Sequence, residues 1–312
     1  MGRTIFLTNG NDSFTQSLVP ANFALVIRSL AGNDRIDLNR TDDLGGSNNV
    51  QTAGGNDIVI NRKEFGNLIH LGDGNDTYFG LGFGSFSTDR PDQVNGGNGN
   101  DTFFVQTFKS QYLGAAGNDT FHSVGWQNFF NGGDGIDTLS YLPRSDDRTV
   151  GRTGVSVDLN LGVTQTGAFR QERFFSIENV IGSRNGDSIA GSGVANRLTG
   201  AEGLDALTGR GGADVFIYNR FADAPVVSGV AEEITDFSRA QGDRVNLHAI
   251  DANLNVAGNQ DFVFVTGGFT GRAGEVRFDG DLILADGNGD RVADMRILMT
   301  GVDSMQASDF IL

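Results

Sequence analysis

Apolar residues along this chain recur on a cycle of nine, not on a helical period. Phe14, Ile36, Val59, Tyr78, Phe103, Phe121, Leu139, Ile189, Leu198, Leu207 and Phe216 each lie two places after a polar turn residue. Ile5, Ile27, Val50, Ile69, Val94, Tyr112, Phe130 and Val180 lie seven places before one. Plus two and minus seven are a single phase of a nine-residue cycle. The pattern predicts short strands, each followed by a tight turn. Two nines close one coil, and stacked coils form two parallel sheets with apolar ladders facing inward. With no 3.6-residue period, helices should be scarce. The expected fold class is all-β, a parallel β-roll with a β-rich C-terminal cap.

The turn residues carry the same period. Gly-Asn-Asp recurs at Asp12, Asp34, Asp57, Asp76, Asp101 and Asp119, and becomes Gly-Ile-Asp at Asp137. The gaps are 22, 23, 19, 25, 18 and 18 residues. The marker returns at Asp187, Asn196, Asp205 and Asp214, now 9 apart. Eighteen is a full coil, and the longer gaps are a coil plus an insertion. Nine residues before Asp57, Asp76, Asp101, Asp119, Asp137 and Asp187 stand Asn48, Asn67, Asp92, Ser110, Asn128 and Glu178, which lack the glycine run. The insertions LGGSNNV, STDRPDQV and VGWQNFF fall at these half-turns. The N-terminal roll is therefore expected to have one regular acidic edge and one irregular edge, the latter being where a repeat scaffold usually places binding. The expected organisation is a β-roll over 1–142, an interruption over 143–177, a second β-roll over 178–218, and a cap with secretion region over 219–312.

Composition adds a constraint on what holds the coils. Glycine is abundant (46) and proline scarce (4), which suits tight turns of positive φ better than a disordered linker. The net charge is −16, which disfavours nucleic acid and anionic lipid as partners. No cysteine is present, so disulfides and thiolate metal sites are excluded. No run of 18 apolar residues exists to span a membrane as a helix. The opening MGRTIFLTNGND lacks a Sec-type signal pattern, so the export signal of a secreted chain is expected elsewhere.

Stacking places loop carboxylates about 4.8 Å apart. At an effective dielectric near 20 each neighbour then costs roughly 3 kcal/mol. A column of this kind needs a cation between its steps. A hard divalent ion taking 6–8 oxygens fits, with turn carbonyls completing the shell, and Ca²⁺ is the expected cofactor. The three histidines, His70, His122 and His248, share no metal-site spacing. The candidate ligands are Asp12, Asp34, Asp57, Asp76, Asp101, Asp119, Asp137, Asp187, Asn196, Asp205 and Asp214. A separate D-x-N-x-D stretch, DGNGDRVAD, adds Asp286, Asn288, Asp290 and Asp294, although Arg291 and Ile297 stand where an EF-hand has Gly and Glu.

The copies NGGNGNDTF (95–103), NGGDGIDTL (131–139) and TGRGGADVF (208–216) resemble the nonapeptide of the RTX (repeats-in-toxin) calcium-binding family. The segments GVSVDLNLG (154–162), SIENVIGS (176–183), EITDFSRAQGDRVNL (233–247) and GFTGRAGEVRF (268–278) resemble the C-terminal domain shared by serralysin-type proteases and alginate epimerase R-modules. The resemblance implies several bound Ca²⁺ ions, secretion through a type I exporter, and an extracellular place. It also implies that the terminal Asp309-Phe310-Ile311-Leu312 belongs to an uncleaved export signal. The departures are Asn196 and the stretch 143–177, which has no loop.

Catalytic motifs of the enzymes carrying such repeats are missing. There is no H-E-x-x-H, no G-x-S-x-G and no Asp-Pro-His, nor the long apolar segment of the pore-forming toxins. The acid pairs Asp42/Asp43 and Asp146/Asp147 read as solvated turns. The expected function is therefore non-enzymatic: a secreted calcium-binding protein with a structural or interaction role in a surface layer, matrix or adhesin. A carbohydrate-binding module, with Trp126 on the irregular edge, is the alternative. Ice binding through the row Asn11, Asn33, Asn56, Asn75, Asn100 and Asn118 is a minor one. Self-assembly and extracellular polysaccharide are the partners considered, and Arg144, Arg148, Arg152, Arg170 and Arg173 are a possible contact for acidic groups.

Overall fold

A computed structural model describes residues 3–17, 24–38, 46–82, 90–146, 153–167 and 170–312. Asp42, Asp43, Asp147, Arg148 and Arg152 lie outside the described residues, as does the side chain of Asp146. The chain divides into two compact units. One comprises Met1–Pro143 with Ala168–Ile177, the other Arg144–Gly167 with Glu178–Leu312. The stretch 143–177 is thus shared: most of it joins the second unit before the chain returns to complete the first.

The first unit is a parallel β-solenoid. One sheet stacks Thr4–Phe6, Val26–Arg28, Asn49–Gln51, Leu68–Asp73, Gln93–Asn98, Gln111–Ala116, Phe129–Asp134 and Gln171–Phe175, each parallel to the next. The other stacks Ser13–Thr15, Arg35–Leu38, Ile58–Asn61, Thr77–Gly80, Thr102–Val105, Thr120–Ser123 and Thr138–Ser140. The register is set by the nine-residue phase. Ile27, Val50, Ile69, Val94, Tyr112 and Phe130 pair in line and are buried, as are Ile36, Val59, Tyr78, Phe103, Phe121 and Leu139. Ile5 and Phe14, in the first coil, are only half-buried. Phe103 stacks on Phe121 with ring centroids 4.8 Å apart, and Tyr112 on Phe130 at 5.6 Å. Each such ring removed from water contributes about 1.5–3 kcal/mol.

The irregular edge of this unit is held by a buried polar chain. Asn48 Nδ2 donates to Asn67 Oδ1 at 2.9 Å, and Asn67 Nδ2 to Asp92 Oδ1 at 3.1 Å. The Asp92 N–H donates to Ser110 Oγ at 2.8 Å, the Ser110 N–H to Asn128 Oδ1 at 3.0 Å, and Asn128 Nδ2 to Glu172 Oε1 at 3.1 Å. The polar half-turns therefore form a ladder whose donors are side-chain amides and backbone N–H groups. Glu64 reaches into the same chain and accepts from the Ser110 hydroxyl and from the Phe108 N–H.

The second unit repeats the plan and then departs from it. Ser156–Asp158, Ser188–Ala190, Ala206–Thr208, Glu232–Ile234 and Met295–Met299 stack in parallel. Facing them are Asn179–Ile181, Arg197–Thr199, Val215–Ile217, Arg244–Asn246 and Phe310–Ile311. Beyond Met295–Met299 the sheet turns antiparallel through Leu282–Asp286 and Glu275–Asp279. This is the β-rich cap. Its helical content among the described residues is limited to short 3₁₀ turns.

Candidate metal sites along the loop edges

The loop aspartates line up as the period requires, and each is fixed by its neighbour. The N–H of Asp101 donates to Asp119 Oδ1 at 2.8 Å, and the N–H of Asp119 to Asp137 Oδ1 at 2.7 Å. The same bond joins Asp12 to Asp34, Asp34 to Asp57, Asp57 to Asp76, and Asp76 to Asp101. Beside this column runs an asparagine ladder of opposite sense. The N–H of Asn118 donates back to Asn100 Oδ1, and likewise from Asn100 to Asn75, Asn75 to Asn56, Asn56 to Asn33, and Asn33 to Asn11. The asparagine side-chain carbonyls are thus engaged in stitching coils.

One oxygen of each interior carboxylate is left over. Oδ2 of Asp34, Asp57, Asp76, Asp101 and Asp119 is buried without a donor, and so is Oδ2 of Asp205 and Asp214 in the second unit. A buried ionised oxygen without a donor is strongly unfavourable unless a cation meets it. Burial accordingly pushes the Asp101 carboxyl up to about 7, and Asp76, Asp119 and Asp214 to about 6. At Asp101, Asp119, Asp205 and Asp214 a glycine five places earlier forms a cradle around this oxygen. A methyl group on Gly114 would sit 2.0 Å from Asp119 Oδ2 and 2.5 Å from the carbonyl of Gly132 in the next coil. On Gly96 it would sit 2.1 Å from Asp101 Oδ2 and 2.7 Å from the Gly114 carbonyl. A carboxylate oxygen and a carbonyl oxygen therefore converge with no proton between them, a donor set that suits a hard cation.

Three loops are built differently. Asp12 Oδ2 accepts the N–H of Thr8 at 2.6 Å and its hydroxyl at 2.8 Å. Asp187 accepts the Ser183 N–H on Oδ2 and the Ser183 hydroxyl on Oδ1, at 2.6 and 2.9 Å. Asn196 Oδ1 accepts the Ser192 N–H at 2.7 Å and its hydroxyl at 3.2 Å.

The ladders of the second unit extend further than the nine-residue spacing reveals. The N–H of Asp187 donates to Asp205 Oδ1, and that of Asp205 to Glu232 Oε2 at 2.6 Å. On the other edge the N–H of Asn196 donates to Asp214 Oδ1, and that of Asp214 to Asp243 Oδ1 at 2.9 Å. Glu232 and Asp243 thus take ladder positions after insertions that hide them from the period. Burial and the neighbouring Asp205 hold Glu232 well above the usual carboxylate range.

The remaining candidates are placed as follows. In the 286–294 turn, Asp286 is buried and takes the N–H groups of Gly289 and Arg291 on its two oxygens, at 2.7 and 2.9 Å. Asp294 takes the N–H of Gly287 and Nδ2 of Asn288, while Asn288 and Asp290 accept the N–H groups of Asp290 and Val292. This turn satisfies its acids with its own donors, unlike the column. Among the described residues, no three His, Cys, Asp or Glu side chains gather around one point. The column instead offers one carboxylate per loop. Of the arginines, Arg144 is buried on the Thr166 carbonyl, and Arg170 lies 4.5 Å over the Trp126 ring. Tyr112 and Phe130 are core, as their phase requires.

Comparison with known families agrees with this geometry. Residues 165–312 match the family described as the serralysin C-terminal domain of M10 peptidases. That domain is the non-catalytic C-terminal part of serralysin-type proteins. No curated protein sequence matches the chain. Residues 165–312 thus match the serralysin C-terminal family, and the parallel β-solenoid coils fit an RTX β-roll protein.

Proposed function

We propose that this chain is a non-enzymatic calcium-loaded β-roll that folds outside the cell and serves there as a structural or interaction protein. The observation that carries the reading is the column of buried Oδ2 atoms without donors, which at Asp101 and Asp119 lie beside a glycine carbonyl of the next coil. Asp34, Asp57, Asp76, Asp101, Asp119, Asp205 and Asp214 would hold Ca²⁺, which supplies the positive charge between like-charged steps. The chain's own residues do the rest. Oδ1 fixes coil register, glycine leaves the space, and the asparagine ladder joins coils without charge. Because the ion binds only the folded form, calcium stabilises that form by mass action.

In EDTA the chain should be expanded, and millimolar Ca²⁺ should bring a cooperative gain of far-UV β signal. An unchanged spectrum across that titration overturns the reading. The family match supports secretion, and a type I exporter is the route proposed for it. A surface-layer or matrix role predicts a lattice or fibril on native cells, visible by electron microscopy and lost on calcium removal.

Carbohydrate binding has less support. One face of Trp126 lies under Arg170. The outward row Phe79, Phe104 and His122 stacks on itself at 4.9 and 4.8 Å, leaving few ring faces for a sugar. Four threonines, Thr77, Thr102, Thr120 and Thr138, do stand in register beside that row. A glycan screen and a thermal-hysteresis assay test those two readings.

A further inference from the structure

All but one of the loops that carry the nonapeptide marker fall into two conformations distinguished at one position. The exception is the loop of Asp34, whose Oδ2 is also without a donor: it has Leu30 there, which has neither positive φ nor a hydroxyl. In the open loops of Asp57, Asp76, Asp101, Asp119, Asp205 and Asp214, Oδ2 has no donor. The residue four places earlier in each has positive φ: Ala53 at 68°, Gly72 at 111°, Gly97 at 114°, Ala115 at 84°, Ala201 at 72° and Arg210 at 69°. In the closed loops of Asp12, Asp187 and Asn196 that position holds Thr8, Ser183 or Ser192, none of them at positive φ. Its N–H and hydroxyl both turn onto the side chain of the loop residue.

The physical consequence differs between the two. A left-handed residue swings its N–H away and leaves the carboxylate oxygen bare. A serine or threonine brings two protons to the place where an ion would sit, and satisfies the oxygen without one. A cation would have to displace both hydrogen bonds and would meet the positive end of the N–H dipole.

We infer that the residue four places before the loop carboxylate decides which repeats take calcium: serine or threonine there excludes the ion, and a residue without a hydroxyl, left-handed in the open loops other than that of Asp34, admits it. The inference rests on the calcium reading above and adds to it that Asp12, Asp187 and Asn196 are metal-free steps. An independent feature points the same way. The one loop of the series that has lost its carboxylate, at Asn196, is also closed by a serine. There the amide Nδ2 donates to the Glu178 carbonyl, filling with a proton the direction that a second carboxylate oxygen would take.

The closed steps have a structural use. Asp187 also accepts the N–H of Val155 at 2.6 Å, so it still joins its coil to the strand Ser156–Asp158 with no ion bound. Thr8 satisfies Asp12 within its own loop in the first coil, where Asp12 is the least buried member of its column.

The test is a count of bound calcium. Wild type, Asp101→Asn, Asp187→Asn and Ser183→Gly are dialysed at one free Ca²⁺ concentration, and bound metal per chain is read by mass spectrometry, with far-UV circular dichroism reporting folding. Asp101→Asn should lose one ion, Asp187→Asn should match wild type, and Ser183→Gly should gain one. Loss of an ion from Asp187→Asn, or an unchanged count in a folded Ser183→Gly, overturns the inference and leaves the calcium reading standing. A wild-type chain that holds no calcium overturns both.

Discussion

Replacing Gly114 by alanine is the sharpest perturbation of the column. Gly114 has an ordinary backbone angle, so alanine itself is tolerated there, and in a strand it should gain about 0.5–1 kcal/mol over glycine. Its methyl group, however, would lie 2.0 Å from Asp119 Oδ2 and 2.5 Å from the Gly132 carbonyl. A comfortable carbon–oxygen contact is about 3.3 Å, so the carboxylate must move by roughly an ångström. Overpacking of that kind costs about 1–3 kcal/mol. Losing one ion at a hundredfold excess over its Kd removes about 2.7 kcal/mol more. The net destabilisation at saturating Ca²⁺ should be about 3–5 kcal/mol, a large share of a typical domain's stability. The control is Gly193→Ala, where nothing lies within 4 Å of the added carbon. Urea unfolding in calcium and calcium titration by circular dichroism read both variants. Gly114→Ala should unfold at lower urea and need more calcium, with Gly193→Ala close to wild type. If Gly114→Ala is as stable as wild type or more so, the space beside Asp119 is not a metal cradle and the reasoning fails.

Other outcomes follow from the same geometry. Asp101→Ala should raise the calcium midpoint more than Asp12→Ala, since Asp12 is exposed to its own Thr8 donors and Asp101 is not; equal shifts in a calcium titration would contradict this. Burial raises the Glu64 carboxyl from 4.5 to about 8, so the native state holds that proton more tightly than the unfolded chain. Its contribution is therefore most favourable below pH 4.5 and is lost as pH rises towards 8, by on the order of 5 kcal/mol. Glu64→Gln should then gain stability relative to wild type between pH 5 and pH 9 at saturating Ca²⁺, and a constant difference across that window in urea melts would refute it. Deleting Asp309 to Leu312 removes the strand Phe310–Ile311 from beside Arg244–Asn246 and the carboxylate that pairs with Arg239 at 2.6 Å. It should lower the melting temperature of the cap, and removal of 250–312 should hold the chain inside cells that carry a matching exporter. Normal levels of the truncated chain in the medium without lysis would count against type I export.

The inward ladders were legible because coil stacking admits only one phase of the nine-residue cycle. A residue such as Val50 or Phe121 has no other place to go. The column of aspartates was legible for the same reason. What spacing concealed was anything beyond an insertion: Glu172, Glu232 and Asp243 occupy ladder positions, but the intervening loops break the count. The closing of Asp12, Asp187 and Asn196 lay in the sequence as Thr8, Ser183 and Ser192, yet a hydroxyl four places before a loop acid has meaning only once its rotamer is seen. The outward row Phe79, Phe104 and His122 sits three places after each aspartate, a phase that the search for core residues passes over. In the 286–294 stretch, acids at ligand-like spacing also serve as acceptors for the N–H groups of their own turn, which spacing alone does not reveal.

The shared stretch between the two units limits how such a protein can be cut or rebuilt. Repeat arrays lengthen and shorten by recombination between like segments, and within either unit a coil could be gained or lost with the register kept. At the seam this freedom ends. A breakpoint after Pro143 deprives Phe130 of its partner Phe174, and one before Glu178 removes the strand whose Val157 faces Ile189. Neither unit is a contiguous stretch of gene, so a fragment that ends at Pro143 or begins at Glu178 carries an uncovered sheet edge of the kind that recruits other chains. For expression work the safe boundaries lie within the coils, and for evolution the seam behaves as a fixed hinge of the blueprint around which repeat number can drift.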